Sequence, residues 1–287
     1  MPHTICGAVS ELALLSHAAH LRWTDLATLT DRPASRHVDA EGRAVYASVF
    51  FVDVAGFPDA GLAAFGPDDD LEIVSTLGRF GRTMLDGAHH LYPAGTLPQA
   101  LADPLPPAPR VRLSNVLVRV GTGARDLLIT APANAEVDAI PVLPAEPDSY
   151  AMIREARQRG FFFPPPPDAT PLWREPRRVR HRINPDRDLN GVGLLYFCNY
   201  VAFMDFAERT ALEEAGAFSP EALDGRVTLR RRIGYYGNAL PHDAFDIEVE
   251  AFGLPGARPQ VLVHHRIRRA GDDRLIAVAS VEKRLRG

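Results

Sequence analysis

The chain has 287 residues, 46% of them hydrophobic, and a formal net charge of −4. That length suits two units of roughly 100–150 residues, and the apolar fraction excludes global disorder. The charge gives no overall pull towards nucleic acid or anionic membrane, no apolar run approaches the ~20 residues of a membrane helix, and Cys6 and Cys198 are too few for a disulfide framework.

The opening residues Met1-Pro2-His3-Thr4 lack the basic start and apolar run of a secretory signal, so the cytoplasm is the expected compartment. Gly7 and Ala8 lead through Ser10 and Glu11 into an apolar helix expected to run to about His20. Ser10 stands at its start, either as the N-cap or as a hydroxyl offered to a ligand. Strand-like runs follow at 44–54, 71–80, 82–92 and 111–120, with 126–130 as a possible fifth. His89 and His90 fall in the third run, where alternation sends one inward and one outward.

Proline is the main punctuation, with clusters at 93–109, 141–147 and 164–167. The four consecutive prolines favour a stiff, extended connector. The chain therefore divides into a unit at 1–145, a linker at 146–176 containing a short helix at 149–159, and a unit at 177–287.

The second unit opens with a strand at 177–183 and a turn-rich stretch at 184–193. Residues 194–215 then contain no proline or glycine, and Phe197, Val201, Met204, Ala207, Ala211 and Leu212 recur at helical spacing. Gly216 is a plausible C-cap, and strand runs follow at 227–236, 245–252, 260–268 and 274–284. Both halves thus read as a helix followed by antiparallel strands, an α+β arrangement in which a sheet wraps a single helix.

The stretch Asp188-Leu189-Asn190-Gly191-Val192-Gly193-Leu194-Leu195-Tyr196-Phe197-Cys198-Asn199-Tyr200 resembles the start of the central helix in hot-dog thioesterases, and Phe203, Met204 and Glu208 continue the likeness. Over nearly its whole length the chain resembles a narrower group, the leinamycin-type bifunctional acyltransferase/decarboxylase family of polyketide clusters. The residues that carry this are Met1-Pro2-His3, Gly7 to Glu11, Tyr46, Leu113-Ser114-Asn115, Arg125-Asp126-Leu127, Leu189-Asn190-Gly191 and Leu195-Tyr196-Phe197. The resemblance implies a double hot-dog fold, with two tandem domains that each wrap an antiparallel sheet around a central helix. It implies transfer of a methylmalonyl or malonyl unit from coenzyme A to an acyl carrier protein, with decarboxylation to propionyl or acetyl. No cofactor is implied beyond coenzyme A or phosphopantetheine as the thioester carrier. The implied partners are an acyl-CoA and an acyl carrier protein, and the assembly is a monomer built as a pseudo-dimer, or a homodimer.

In such proteins the thioester carbonyl meets backbone N–H groups at a helix start. Gly191, Val192 and Gly193 would supply them at one helix and Gly7 and Ala8 at the other, with Tyr196 beside the substrate. These glycines also fit plain turns. A tyrosine is the acylated residue implied by the resemblance, and Tyr46 is its counterpart here. Tyr46 could equally donate a proton or close a strand edge, since a phenol is a poor nucleophile at its usual pKa near 10. Asn190 stands where thioesterases carry an aspartate. An amide is neither nucleophile nor base at neutral pH but can donate hydrogen bonds, which fits decarboxylation better than hydrolysis. Asn190 also fits an Asx-turn, and a shifted register would bring Asp186 or Asp188 into its place.

The rival enzyme reading is hydrolysis, or dehydration of a 3-hydroxyacyl carrier, with His89 or His90 paired to Asp188. A third reading is a non-catalytic acyl- or carrier-binding protein. Arg231, within Arg230-Arg231-Arg232, suits the phosphates of coenzyme A, or else a solvated strand face. No His, Asp or Glu group has convincing metal spacing.

Overall fold

The computed structural model describes residues 4–5, 8–56, 61–66, 68–97, 108–121, 127–191 and 193–286, with only the backbone of Thr4, Ile5 and Ala8. The first half contains β1 (Thr4–Ile5), β2 (Ala8–Val9), α1 (Glu11–Thr30), β3 (Tyr46–Ala55), β4 (Leu71–Ser75), β5 (Gly78–Phe80), β6 (Met84–Pro93), β7 (Arg110–Val120) and β8 (Leu127–Ile129). Between the halves lie α2 (Asp148–Arg159) and β9 (Thr170–Pro171). The second half contains β10 (Arg177–Arg182), α3 (Pro185–Asp188), α4 (Asn199–Ala215), α5 (Pro220–Asp224), β11 (Val227–Tyr235), β12 (Ala244–Leu254), β13 (Gln260–Arg269) and β14 (Leu275–Arg284).

Helix α1 runs ten residues beyond the expected end at His20, because its buried stripe continues through Arg22, Leu26 and Thr30. It stops at Asp31, whose left-handed backbone (φ 47°) turns its N–H onto the Ala27 carbonyl. The run expected as one strand at 71–80 is two short ones, β4 and β5. At the break between them, Thr76 donates its backbone N–H to Ala88 and accepts the Ala88 N–H on its hydroxyl.

Nine of the strands form one antiparallel path, β10-β12-β13-β14-β11-β3-β7-β6-β4, with β5, β8 and β9 paired alongside it and β1 and β2 paired only with each other. Its centre is the β11·β3 pairing, where Arg231, Arg232, Ile233 and Gly234 face Val54, Asp53, Val52 and Phe51. Counted outward from that junction, β11, β14, β13 and β12 in one half and β3, β7, β6 and β4 in the other each run in the order first, fourth, third, second, and β10 adds a further strand beyond β12. Helices α1 and α4 share one face of this sheet. Side chains from both halves, including Leu14, Leu15, Val52, Leu113, Phe203, Met204, Ile233 and Val281, form a single core there. Burying that stripe of each helix is what holds it against the strands.

The opposite face at the junction is covered by the segment between the halves. Ser114 of β7 bonds Ser149 of α2 at 2.9 Å, and Tyr236 donates its hydroxyl to the Ile153 carbonyl at 2.7 Å. The proline-rich run follows, with the Phe162 N–H on Ser280 at 2.8 Å. The Arg230 and Arg232 guanidinium groups lie 4.0 and 5.1 Å from the centre of the Phe163 ring.

Candidate active site

A cavity of about 560 Å³ opens where the two halves meet, between α1, the head of β3 and the chain leading into α4. Helix α1 contributes Ala19, Arg22, Trp23 and Leu26, spaced so that all four share one face. Strand β3 contributes Tyr46 through Phe50. Its pairing with β7 slips between Val49 and Phe51, a bulge that bends the strand head towards the cavity. Asn190, Gly191 and Tyr196 line it from the second half, together with Tyr235, Asn238 and Arg274. The fold therefore brings Tyr46, Asn190, Gly191 and Tyr196 to one place, although more than 140 positions separate the first two.

The approach to α4 differs from the sequence expectation. The helix begins at Asn199, not at Leu194. Leu189 to Gly191 and Gly193 to Leu195 instead form the two arms of a small hairpin closed by a Leu189–Leu195 bridge. Asn190 organises it: its backbone N–H reaches the Leu194 carbonyl at 2.7 Å, and its side-chain Oδ1 accepts the Leu194 N–H at 3.0 Å. Gly193, with φ +76°, donates its N–H to the Asn190 carbonyl. Leu195 and Tyr196 donate theirs to Asn238 Oδ1 and to the Asp188 carbonyl. Gly191 and Gly193 thus precede the helix by several residues, and the Gly193 amide is committed to the hairpin rather than aimed from a helix start. Val192 and Gly7 lie outside the described residues, and Ala8 belongs to β2.

The cavity wall is apolar with a few polar groups. Its described lining contains no carboxylate and no histidine. Tyr196 is half-buried, and that burial raises its phenol well above the usual range. Burial likewise pushes the neighbouring Cys198 thiol up to about 12, so it carries no thiolate at neutral pH. Arg22 is 3% exposed, and its Nη2 donates to the Leu113 carbonyl at 3.2 Å. Its Nε and Nη1 have no hydrogen-bond acceptor among the described residues. Desolvation brings the guanidinium down to about 10, against the opposing pull of Asp86 and Asp25. Asn115, on the adjoining stretch of β7 and 2% exposed, has its Oδ1 buried without a donor among the described residues.

A second pocket of about 350 Å³ lies at the start of the other helix, α1. It occupies the position that corresponds to the first when the two halves are exchanged, but charged side chains fill its floor. Ser10 lines it and caps α1, accepting the Ala13 N–H at 3.3 Å. Arg231 lies beneath it, wholly buried, with Nε 2.7 Å from Glu11 Oε1 and Nη2 2.7 Å from Asp205 Oδ1. Lys283 donates to Asp205 at 2.8 Å and to both oxygens of Glu208 at 2.9 and 3.0 Å. Thr228 donates to the second oxygen of Glu11 at 3.0 Å. Burial alone would raise the Asp205 carboxyl, yet the Lys283 and Arg231 cations hold it well below its ordinary value. Arg231 is therefore the centre of an ion network between the halves and does not reach solvent to meet a phosphate. Strand alternation turns Arg230 and Arg232 to the other face of β11, and Arg231 inward.

His89 is also away from the cavity lining. It is buried in β6, its Nδ1 2.8 Å from the Ser75 hydroxyl, and desolvation with nearby Arg22 lowers it to about 3. Asp188 is wholly buried and accepts from the Asn184 N–H at 2.8 Å and from Arg187 at 2.7 Å. The structure does not bring Asp188 and His89 or His90 together, so that acid–base pair is not formed.

Sequence reasoning passed over Arg22, Trp23 and Asn238, and gave Asn115 no role beyond the resemblance. One signal was present. Arg22 interrupts the apolar stripe Leu15, Ala18, Ala19, Leu26, and a charged residue at a core position of a helix asks for a partner. Asn238 carries no such local signal, because a loop between distant strands brings it to the hairpin.

No protein-family model and no curated protein sequence matches the chain. Solved structures do. An acyl-ACP thioesterase from Bacteroides thetaiotaomicron is 10% identical with TM-score 0.56, the match covering 98% of this chain and 93% of that one. The 12:0-ACP thioesterase from Umbellularia californica is 15% identical with TM-score 0.55, covering 97% and 88%. At that identity the likeness carries the fold alone: the chain has the hot-dog fold of these thioesterases, with a large antiparallel sheet and few helices.

Proposed function

We propose that the chain is a double hot-dog enzyme acting on acyl thioesters, with the acyl group in the 560 Å³ cavity and the thioester near Tyr46 and Asn190. The observation that carries this is the position of the cavity at the junction of two halves of like topology, within a fold shared with acyl-ACP thioesterases. Its size and its apolar wall with few polar groups suit an acyl chain.

What favours transfer over hydrolysis is Asn190, an amide where thioesterases carry an aspartate; the described lining offers neither carboxylate nor imidazole as a base for water or for the Tyr46 phenol. In the transfer reading, the Tyr46 oxygen attacks the thioester carbon and the C–S bond breaks. The departing thiol keeps the phenolic proton, and the thiol of an acyl carrier protein then takes the acyl group. For a malonyl or methylmalonyl group, cleavage of the C–CO₂ bond leaves its electron pair in an enolate, which a proton from the site quenches. Hydrolysis is the second reading, favoured by the thioesterase neighbours. It would place water rather than Tyr46 at the carbonyl.

Incubation with malonyl-, methylmalonyl- and acetyl-coenzyme A, with and without a carrier protein, separates the readings by product mass. Transfer gives acyl or decarboxylated acyl carrier, and Tyr46→Phe abolishes it along with any acyl-enzyme. Free acid formed equally by wild type and Tyr46→Phe establishes hydrolysis. An intact thioester with every substrate removes the proposal.

A further inference from the structure

With the acyl chain between α1 and the first half's strands, the thiol carrier leaves by the opposite wall. The second half forms that wall from Asn190, Gly191, Tyr236, Gly237, Asn238 and Arg274. Strand β3 pairs with β11 only from Phe51 to Val54, opposite Arg231 to Gly234. The head of β3 and the tail of β11 lie beyond this pairing, and both line the cavity. In coenzyme A and in carrier-bound pantetheine alike, a phosphate ester ends the pantetheine arm, roughly thirteen bonds or about 16 Å from the sulfur. A group at that distance meets the protein at the rim rather than inside a cavity of about 560 Å³.

The described lining contains two charged side chains, Arg22 and Arg274. Arg22 is 3% exposed and bonded to the Leu113 carbonyl, whereas Arg274 is exposed. Both aspartates of the turn before Arg274 are engaged by other arginines. Asp272 accepts from Arg269 Nε at 2.8 Å, and Asp273 from Arg268 Nη1 at 3.5 Å. The Arg274 backbone bonds Asp272 and Arg269, while its guanidinium has no hydrogen bond or ion pair among the described residues. Its Nε lies beside the tail of β11, 3.6 Å from where a Cβ on Gly237 would stand. In a chain of net charge −4, this exposed guanidinium is a local positive site on the wall by which the carrier leaves. Its fork of N–H groups matches the oxygens of a phosphate.

We propose that Arg274 binds the phosphate ester at the end of the pantetheine arm, the group that coenzyme A and a carrier-bound arm share. This rests on the reading that the thioester sits near Tyr46 and Asn190. Arg274 thereby takes the phosphate role expected of Arg231. It is a binding residue and takes no part in bond breaking.

The test separates the phosphate from the rest of the arm. The probes are non-reactive decyl thioethers of pantetheine, of 4′-phosphopantetheine and of coenzyme A, titrated calorimetrically into the whole protein. Wild type should bind the phosphopantetheine probe about tenfold more tightly than the pantetheine probe, as one charge-assisted contact allows. Arg274→Ala should close that gap without weakening the pantetheine probe, and Arg274→Lys should keep part of it. Arg258→Ala removes the same charge from the exposed turn at the other end of β13 and should leave the gap as it is. In the product assay, Arg274→Ala should raise KM and spare kcat with malonyl thioesters of coenzyme A and of a carrier protein. A rise with one of these alone identifies that one as the source of the phosphate. Equal binding of the phosphopantetheine and pantetheine probes by wild type, or a gap unchanged in Arg274→Ala, overturns the subsite. If malonyl thioesters are still turned over in that case, the enzyme reading stands and this one falls. Failure of every probe to bind removes both.

Discussion

Replacing Arg231 with methionine tests whether this buried arginine joins the halves or meets substrate. The guanidinium lies 2.7 Å from Glu11 and 2.7 Å from Asp205, with no exposed surface. Removing it leaves Glu11, itself 6% exposed, with the Thr228 hydroxyl alone, and Asp205 with Lys283 alone. Breaking one partner of a buried ion network costs about 3–5 kcal/mol, because the remaining charge is stranded. For a chain of this size that lowers Tm by roughly 10 °C. The double variant Arg231→Met with Glu11→Gln should recover much of the loss, since less uncompensated charge remains. The pH dependence has a definite sign. Asp205 is held below its unfolded value, so its contribution is present above about pH 4 and disappears as pH falls through the lower folded value. The gap between wild type and Arg231→Met should therefore narrow below about pH 4. Thermal unfolding followed by circular dichroism at several pH values measures this, with coenzyme A affinity measured in parallel. A variant of unchanged Tm that binds coenzyme A poorly would refute the structural assignment and restore Arg231 as a phosphate ligand.

Four further outcomes follow from the same geometry. Ser10→Ala removes the cap of α1 and should cost about 1 kcal/mol of stability while leaving thioester turnover intact, measured by denaturant unfolding and product assay. His89 is held neutral by burial, with a folded value of about 3. Its stabilising effect is present above the unfolded value of about 6.5 and is lost as pH falls towards 3, so His89→Gln should flatten the acid limb of the stability curve. Asn190→Ala deletes the acceptor for the Leu194 N–H and loosens the hairpin before α4; turnover should fall at least tenfold while Tm changes by only a few degrees. Val116→Phe narrows the cavity beside Asn115 and should exclude long acyl chains while sparing acetyl or malonyl thioesters, as read from chain-length profiles.

Much of the fold was legible because its signals are local. Strand alternation, the apolar stripe of 200–212 and the proline punctuation mark elements that the structure keeps nearly in place, such as α2 at Asp148–Arg159 and β14 at Leu275–Arg284. The start of α4 was misplaced because residues 194–198 have helical composition, while the hairpin that occupies them is closed by Asn190 and by Asn238 from a distant loop. The site was legible in part. Tyr46, Asn190, Gly191 and Tyr196, all singled out in the sequence, line one cavity. Arg231 was misread because three consecutive arginines look alike in sequence, whereas the strand turns the middle one inward to Glu11 and Asp205. Arg22 was missed because the helix was expected to end before it.

The most direct measurement is the structure of the protein with a non-reactive decyl thioether of coenzyme A bound. The sulfur should lie near Tyr46 and Asn190 and the chain between α1 and the head of β3, with nothing in the pocket lined by Glu11, Asp205 and Lys283. A chain seated over Glu11 and Arg231, or lying on the outer surface with the cavity unaltered, would contradict it.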